Sequence, residues 1–251
     1  MKTFTFFTPK GGCGKTTLIL LLAAYLRYFL GKTVKVIDFE ADKFPLMSFR
    51  KDDLAAFRHE GTPLHNYLKG RQVLDPYPIE CAGKPINNYK ADDVLKIARA
   101  VNEEIRKDEF DYLLLDFPAG YSRLTPISCL MCNHLLDGVY IPTSTERQER
   151  IDSFEIGRHF LEEGQRFRIV WNHLKKKYIE NPGVLDLAEQ ELLGYGLQCS
   201  KVRIKDFNKA TEDSSVRCFV RNTLCWPDRY VKMVCPELID LFEEIIAFLG
   251  N

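Results

Sequence analysis

The stretch Pro9-Lys10-Gly11-Gly12-Cys13-Gly14-Lys15-Thr16-Thr17 restricts what this chain can fold into more than any other. It follows an apolar run, Phe4-Thr5-Phe6-Phe7, that reads as a buried strand. It precedes residues 18–30, which read as a buried helix. A glycine-rich turn between a strand and a helix start is a phosphate cradle. Glycines let successive backbone N–H groups point into one concavity, and the helix N-terminus adds its partial positive charge. Lys15 can then reach β- and γ-phosphates, and the Thr16 hydroxyl can hold Mg²⁺ between them. The nucleotide-binding residues expected here are Gly11, Gly12, Cys13, Gly14, Lys15, Thr16 and Thr17.

The general pattern G-x-x-x-x-G-K-[ST] is incomplete, because Pro9 stands at its first glycine. What remains, Lys-Gly-Gly-x-Gly-Lys-Thr-Thr, resembles the deviant Walker A motif of the ParA/MinD (Soj-like) family of dimeric ATPases. The extra lysine of that motif is Lys10 here. The resemblance implies that Lys10 reaches across a dimer interface to the partner's nucleotide. A cation at the start of the loop cannot easily fold back on its own phosphates. Cys13 occupies the variable position and reads as a small filler with no redox role.

The chain has 251 residues, formal net charge zero and eight Cys. That length suits one α/β domain spanning 1–251 and leaves ample chain for a core. Zero net charge excludes a strongly basic global field and leaves only local patches for nucleic acid. The phosphate loop comes too early to leave room for a signal peptide. A cytoplasmic chain with reduced thiols is therefore expected. The apolar run at 18–30 contains Arg27 and is too short to span a membrane.

Further acids are placed where such a site needs them. Residues 33–37 read as a second strand ending in Asp38-Phe39-Glu40. In open α/β sheets the ligand sits at the carboxyl ends of strands. The stretch resembles the family's Asp-x-Asp, which implies that Asp38 lies near the Mg²⁺-bound waters. Glu40 then takes the place of the Asp that orients the attacking water. Glu is one methylene longer, so hydrolysis is expected to be slow. Phe110-Asp111-Tyr112-Leu113-Leu114-Leu115-Asp116 reads as a Walker B strand, with Asp116 holding Mg²⁺. Phe117-Pro118-Ala119-Gly120 resembles the family's switch segment. Asn172, at the end of the strand 166–172, resembles the adenine-contacting Asn, and an amide suits the N6/N7 edge of that base.

Other stretches carry weaker signals. Residues 52–60 and 91–107 read as helices, and 74–80 as an edge strand because of Pro76 and Pro78. Cys129 and Cys132 form a C-x-x-C inside an apolar segment. They read as core, or as ligands of an iron–sulfur cluster shared across a dimer. Residues 138–142, 152–163, 185–193 and 201–204 read as strand, helix, helix and strand. Lys175-Lys176-Lys177 with Lys201, Arg203, Lys205, Lys209, Arg217 and Arg221 could neutralise DNA phosphates or form a solvated face. Arg221-Asn222-Thr223-Leu224-Cys225-Trp226-Pro227-Asp228 resembles a segment of ParA-like proteins of conjugative transposons. The last helix, 236–249, has a polar face of Glu237, Asp240, Glu243 and Glu244. Anionic lipid would repel it, so it is expected to dock on the body and not on a membrane.

The resemblance implies a doubly wound, mostly parallel sheet with helices on both faces. It implies an ATP- and Mg²⁺-dependent homodimer whose hydrolysis a partner protein stimulates, with plasmid or conjugative-element DNA as cargo. Lys10, Lys15, Asp38 and Glu40 carry the catalysis. The alternatives are a protein-binding switch with little hydrolysis, an iron–sulfur carrier using Cys129 and Cys132, and an ATP-dependent ligase.

Overall fold

The computed structural model of the chain describes residues 1–38, 79–81, 110–117, 136–206 and 236–250, a few of them, Asp38 among these, as backbone alone. The element order is β1 (Lys2–Phe6), α1 (Lys15–Tyr28), β2 (Val34–Asp38), β3 (Ile79–Cys81), β4 (Tyr112–Asp116) and β5 (Gly138–Thr143). It continues with α2 (Arg147–Glu162), β6 (Phe167–Leu174), α3 (Lys176–Glu180), α4 (Gly183–Gly194), β7 (Cys199–Lys205) and α5 (Glu237–Gly250). The strands form one sheet in the order β3-β2-β4-β1-β5-β6-β7. Every neighbouring pair in it is parallel.

Alternation along the strands divides the core between the two faces. Phe4, Phe6, Leu114, Tyr140 and Val170 pack with α1 and α5 in one cluster. Phe7 and Phe160 belong to the other face and meet edge to face at 5.9 Å, and Trp171 packs there with Leu174 and Leu185 of α4. Helices thus cover both faces, as expected of a doubly wound sheet. In α1, Leu18, Ile19, Leu21, Leu22, Ala23 and Leu26 are all buried. Each leucine contributes about 1.5–3 kcal/mol on burial.

Several boundaries differ from the sequence reading. Helix α2 begins at Arg147, five residues before the start at 152 that the sequence predicts. Ser144 Oγ accepts the Glu146 N–H, and Glu149 lies in the first turn, both marks of a helix start. Strand β3 lies at the sheet edge, and of the expected 74–80 the residues before Ile79 lie outside the described residues. The short helix α3 falls on the basic stretch at 175–177 and was not expected. The helices expected at 52–60 and 91–107, the switch at 118–120 and the pair Cys129 and Cys132 lie outside the described residues.

Helix α5 docks on the body. Leu238, Leu241, Phe242, Ile245 and Leu249 are buried against the sheet. Its acidic side is more than a solvated face. Glu237 pairs with Lys205 at 3.4 Å, Glu243 accepts the Tyr25 hydroxyl at 3.4 Å, and Glu244 is bonded into the sheet. Among the described residues no helix is long and apolar enough to cross a membrane.

Candidate nucleotide site

Strand β1 ends at Phe6 in the middle of the sheet, and the loop from Pro9 to Gly14 leads straight into α1. The sequence supplies two glycines where the loop turns. Gly12 has φ +80° and Gly14 has φ +82°, a left-handed conformation that side chains disfavour. A Cβ on Gly12 would meet nothing within 4 Å, so the loop leaves open space there. A Cβ on Gly14 would lie 3.0 Å from Asn172 Nδ2 and 3.1 Å from His173 Nε2. Gly14→Ala therefore combines backbone strain with a close approach. We expect it to lower the melting temperature by several degrees and to weaken binding of a fluorescent ATP analogue at least tenfold. Unchanged affinity would mean that the loop is not the phosphate cradle.

The side chains around the loop brace its backbone. Asn172 Nδ2 donates to the Cys13 carbonyl at 2.9 Å, and Lys15 Nζ donates to the Lys10 carbonyl at 2.9 Å. Asn172 was read as an adenine contact. It sits at 1% exposure with its amide nitrogen on the loop. Cys13 is buried, and burial pushes its thiol up to about 11. It stays protonated at neutral pH, which suits a filler. Cys13 and Cys199 are the free cysteines among the described residues.

The candidate metal ligands converge. Thr16 Oγ1 donates to Asp116 Oδ2 at 2.8 Å. Asp116 ends β4 and is buried. A hydroxyl and a carboxylate oxygen at the mouth of a phosphate loop form a hard, oxygen-only donor pair, which fits Mg²⁺. Asp38 pairs in register with Asp116 on the adjacent strand, so both acids stand at carboxyl ends of neighbouring strands. Glu40 lies outside the described residues. Thr17 is buried in the first turn of α1.

Lys10 has partners that the sequence did not reveal. Its Nζ lies 2.8 Å from Glu146 Oε2 and 2.5 Å from Glu149 Oε1, at the start of α2. Hydrogen bonds to both carboxylates hold its pKa well above the ordinary lysine value. In the single chain this lysine is thus held in cis. His173 was also missed. It has φ +54°, unusual for a residue with a side chain, and it touches the loop where Gly14 leaves room. No local signal marks either contact, because 136 residues separate Lys10 from Glu146.

The basic residues divide. Arg203 donates to Asp186 at 2.5 Å and to Glu189 at 2.9 and 3.0 Å. Lys205 pairs with Glu237. Lys175 and Lys201 are exposed and form no ion pair among the described residues.

No protein-family model matches the chain. It is 27% identical over 165 residues to the cellulose biosynthesis protein BcsQ of Salmonella typhimurium, covering 61% of this chain and 64% of that one. It is 30% identical over 148 residues to the chromosome-partitioning ATPase Soj of Thermus thermophilus, covering 55% and 52%. The chain thus spans less than two thirds of the length of these curated relatives. Among solved structures, the MinC:MinD cell division complex of Aquifex aeolicus superposes with a TM-score of 0.64 at 18% identity, covering 98% of this chain and 96% of that one. At that identity the superposition establishes the fold. A phosphate loop with a second lysine, a parallel sheet ending in paired acids and relatives of these kinds agree: the chain has the fold of the ParA/MinD-type P-loop proteins and is similar in sequence to members of that family.

Proposed function

We propose that the chain is a cytoplasmic ATP-binding and ATP-hydrolysing switch that closes into a homodimer on ATP and positions or partitions plasmid or conjugative-element DNA. The observation that carries the reading is the Thr16–Asp116 contact of 2.8 Å beside the glycine cradle. It joins a hydroxyl at the start of α1 to a buried carboxylate at the end of β4, and the Lys15 ammonium lies on the same loop, at the Lys10 carbonyl. Thr16 and Asp116 would hold Mg²⁺, which would supply neutralisation of phosphate charge.

Each residue then has a definite task. Backbone N–H groups of Gly11, Gly12, Cys13 and Gly14 bind phosphate oxygens. Lys15 leaves the Lys10 carbonyl for the β- and γ-phosphates. Thr16, Thr17, Asp38 and Asp116 complete the polar shell, and Glu40 orients the attacking water. Asn172 borders the base. Lys10 must leave Glu146 and Glu149 before it can serve a second copy of the chain. The pair with the exposed Glu146 is weak, and the contact with the more buried Glu149 is the one that must be broken. A partner protein that engages α2 near those carboxylates would favour the release and so stimulate hydrolysis.

Light scattering with ATP and Mg²⁺, with and without a random-sequence DNA duplex, tests the proposal. The parent should shift from monomer to dimer on ATP and co-migrate with the duplex at low salt, and Lys10→Ala should remain a monomer. DNA binding through Lys175 and Lys201 would weaken steeply as salt rises. A dimer that ignores DNA moves the cargo to a protein assembly, a reading that the similarity to a cellulose biosynthesis protein favours. A monomer under every condition overturns the dimer mechanism.

A further inference from the structure

We propose that the cleft between α2 and α4 is a second ligand site, built for a small organic anion with an apolar body. Its volume is about 720 Å³, within the range of pockets that take small molecules. It lies on the opposite side of the sheet from α1. Trp171 and Asn172 are consecutive on β6 and therefore face opposite ways: Asn172 bonds the phosphate loop, while Trp171 lines the cleft.

The lining specifies the ligand. Arg147 and Arg150 stand in the first turn of α2, where the helix N-terminus adds positive potential. Neither forms an ion pair among the described residues. Phe154, Ile169 and Leu192 supply apolar walls. Ser153 Oγ and Trp171 Nε1, on two further lining residues, are buried and make no hydrogen bond among the described residues. An indole N–H only donates, and so does a guanidinium. Two guanidiniums and one indole N–H, donors only, thus border one cleft with apolar walls. Carboxylates also border the cleft, farther along the helices. Glu162 is engaged by Arg158 at 3.1 Å, Glu155 lies midway along α2, and Glu191 lies in the last turn of α4. They fix the direction of binding: the acidic group of the ligand goes to the Arg147 and Arg150 end.

The chain has two tryptophans, Trp171 and Trp226. A Trp226→Phe background isolates Trp171 as a reporter at the cleft. The probe is 8-anilinonaphthalene-1-sulfonate, an aromatic sulfonate of suitable size. We expect saturable one-to-one binding that quenches Trp171 by energy transfer and that saturating ATP with Mg²⁺ does not displace. Arg147→Glu with Arg150→Glu should weaken the probe at least tenfold. Ala188→Phe, which fills the cleft from the α4 side without adding a tryptophan, should abolish binding. Both variants should retain the melting temperature and the nucleotide affinity of the background, which separates loss of the site from loss of the fold. Probe binding that survives charge reversal, yields to ATP or does not occur at all overturns the proposal.

Discussion

An Asp116→Asn chain will hydrolyse ATP at least about a hundredfold more slowly than the parent, and it will melt no lower. The two halves of that result have separate causes. The side chain is isosteric, and its amide oxygen can still accept the Thr16 hydroxyl that now reaches Asp116 at 2.8 Å. Packing around this buried residue is therefore kept. What disappears is a negative charge. A buried carboxylate loses much of its hydration on folding, so the neutral amide leaves the fold equally or more stable. The same charge is what the proposed site needs to hold Mg²⁺ against Thr16. Metal-assisted charge stabilisation is worth several kcal/mol, and about 2.7 kcal/mol already gives a factor of a hundred. Phosphate release and thermal melting, measured on one preparation, check both halves. Parental turnover in the variant would remove Asp116 from the site. A lowered melting temperature would show that the carboxylate is chiefly structural.

The sheet and the loop were legible because their signals are local. The apolar strand before Pro9, the glycines at 12 and 14 and the apolar helix after Thr16 each follow from short-range rules, and the acid at 116 ends a strand that must be buried. The sequence could order these pieces but not bring their side chains together. Lys10 shows the difference. Its place at the loop start suggested an outward reach, yet two carboxylates on a helix far along the chain take it up. Arg203 shows it again. Counted with a basic patch, it is engaged by Asp186 and Glu189 of α4, the helix that precedes its strand. Asn172 reads in the sequence as a strand end, but β6 runs on to Leu174, and the Cys13 carbonyl that occupies its amide is a tertiary partner. Charge in a sequence states what a residue can bind. The sheet order decides which candidate it meets.

Glu244 leads to the largest expected stability loss. In the sequence it reads only as one of four acids on the polar face of the last helix. In the structure it is the main polar tie between α5 and the sheet. Its Oε1 accepts the Tyr140 hydroxyl at 2.9 Å and Arg168 Nη1 at 2.8 Å, and its Oε2 accepts Ser200 Oγ at 3.2 Å and the Lys201 N–H at 3.0 Å. Four donors on three strands thus converge on one carboxylate whose side chain is 14% exposed. Burial, with Glu244 alongside, raises the Tyr140 pKa well above the ordinary value, so its hydroxyl remains a donor throughout the neutral range. Glu244→Ala leaves the guanidinium and the hydroxyl beneath α5 without their acceptor. Breaking one side of such a pair costs about 3–5 kcal/mol, a large part of the 5–15 kcal/mol typical of a domain. Glu244→Gln should cost less, about 1–2 kcal/mol. Its carbonyl still serves Tyr140 and Arg168, while its NH₂ faces the Lys201 N–H, where only an acceptor fits. Urea unfolding should therefore rank the chains parent, Gln, Ala, with an unchanged dependence on denaturant. If Ala and Gln cost the same, the charge and not the four-way acceptor holds the helix. If neither moves the midpoint, the apolar stripe of Leu238, Leu241, Phe242, Ile245 and Leu249 docks α5 by itself.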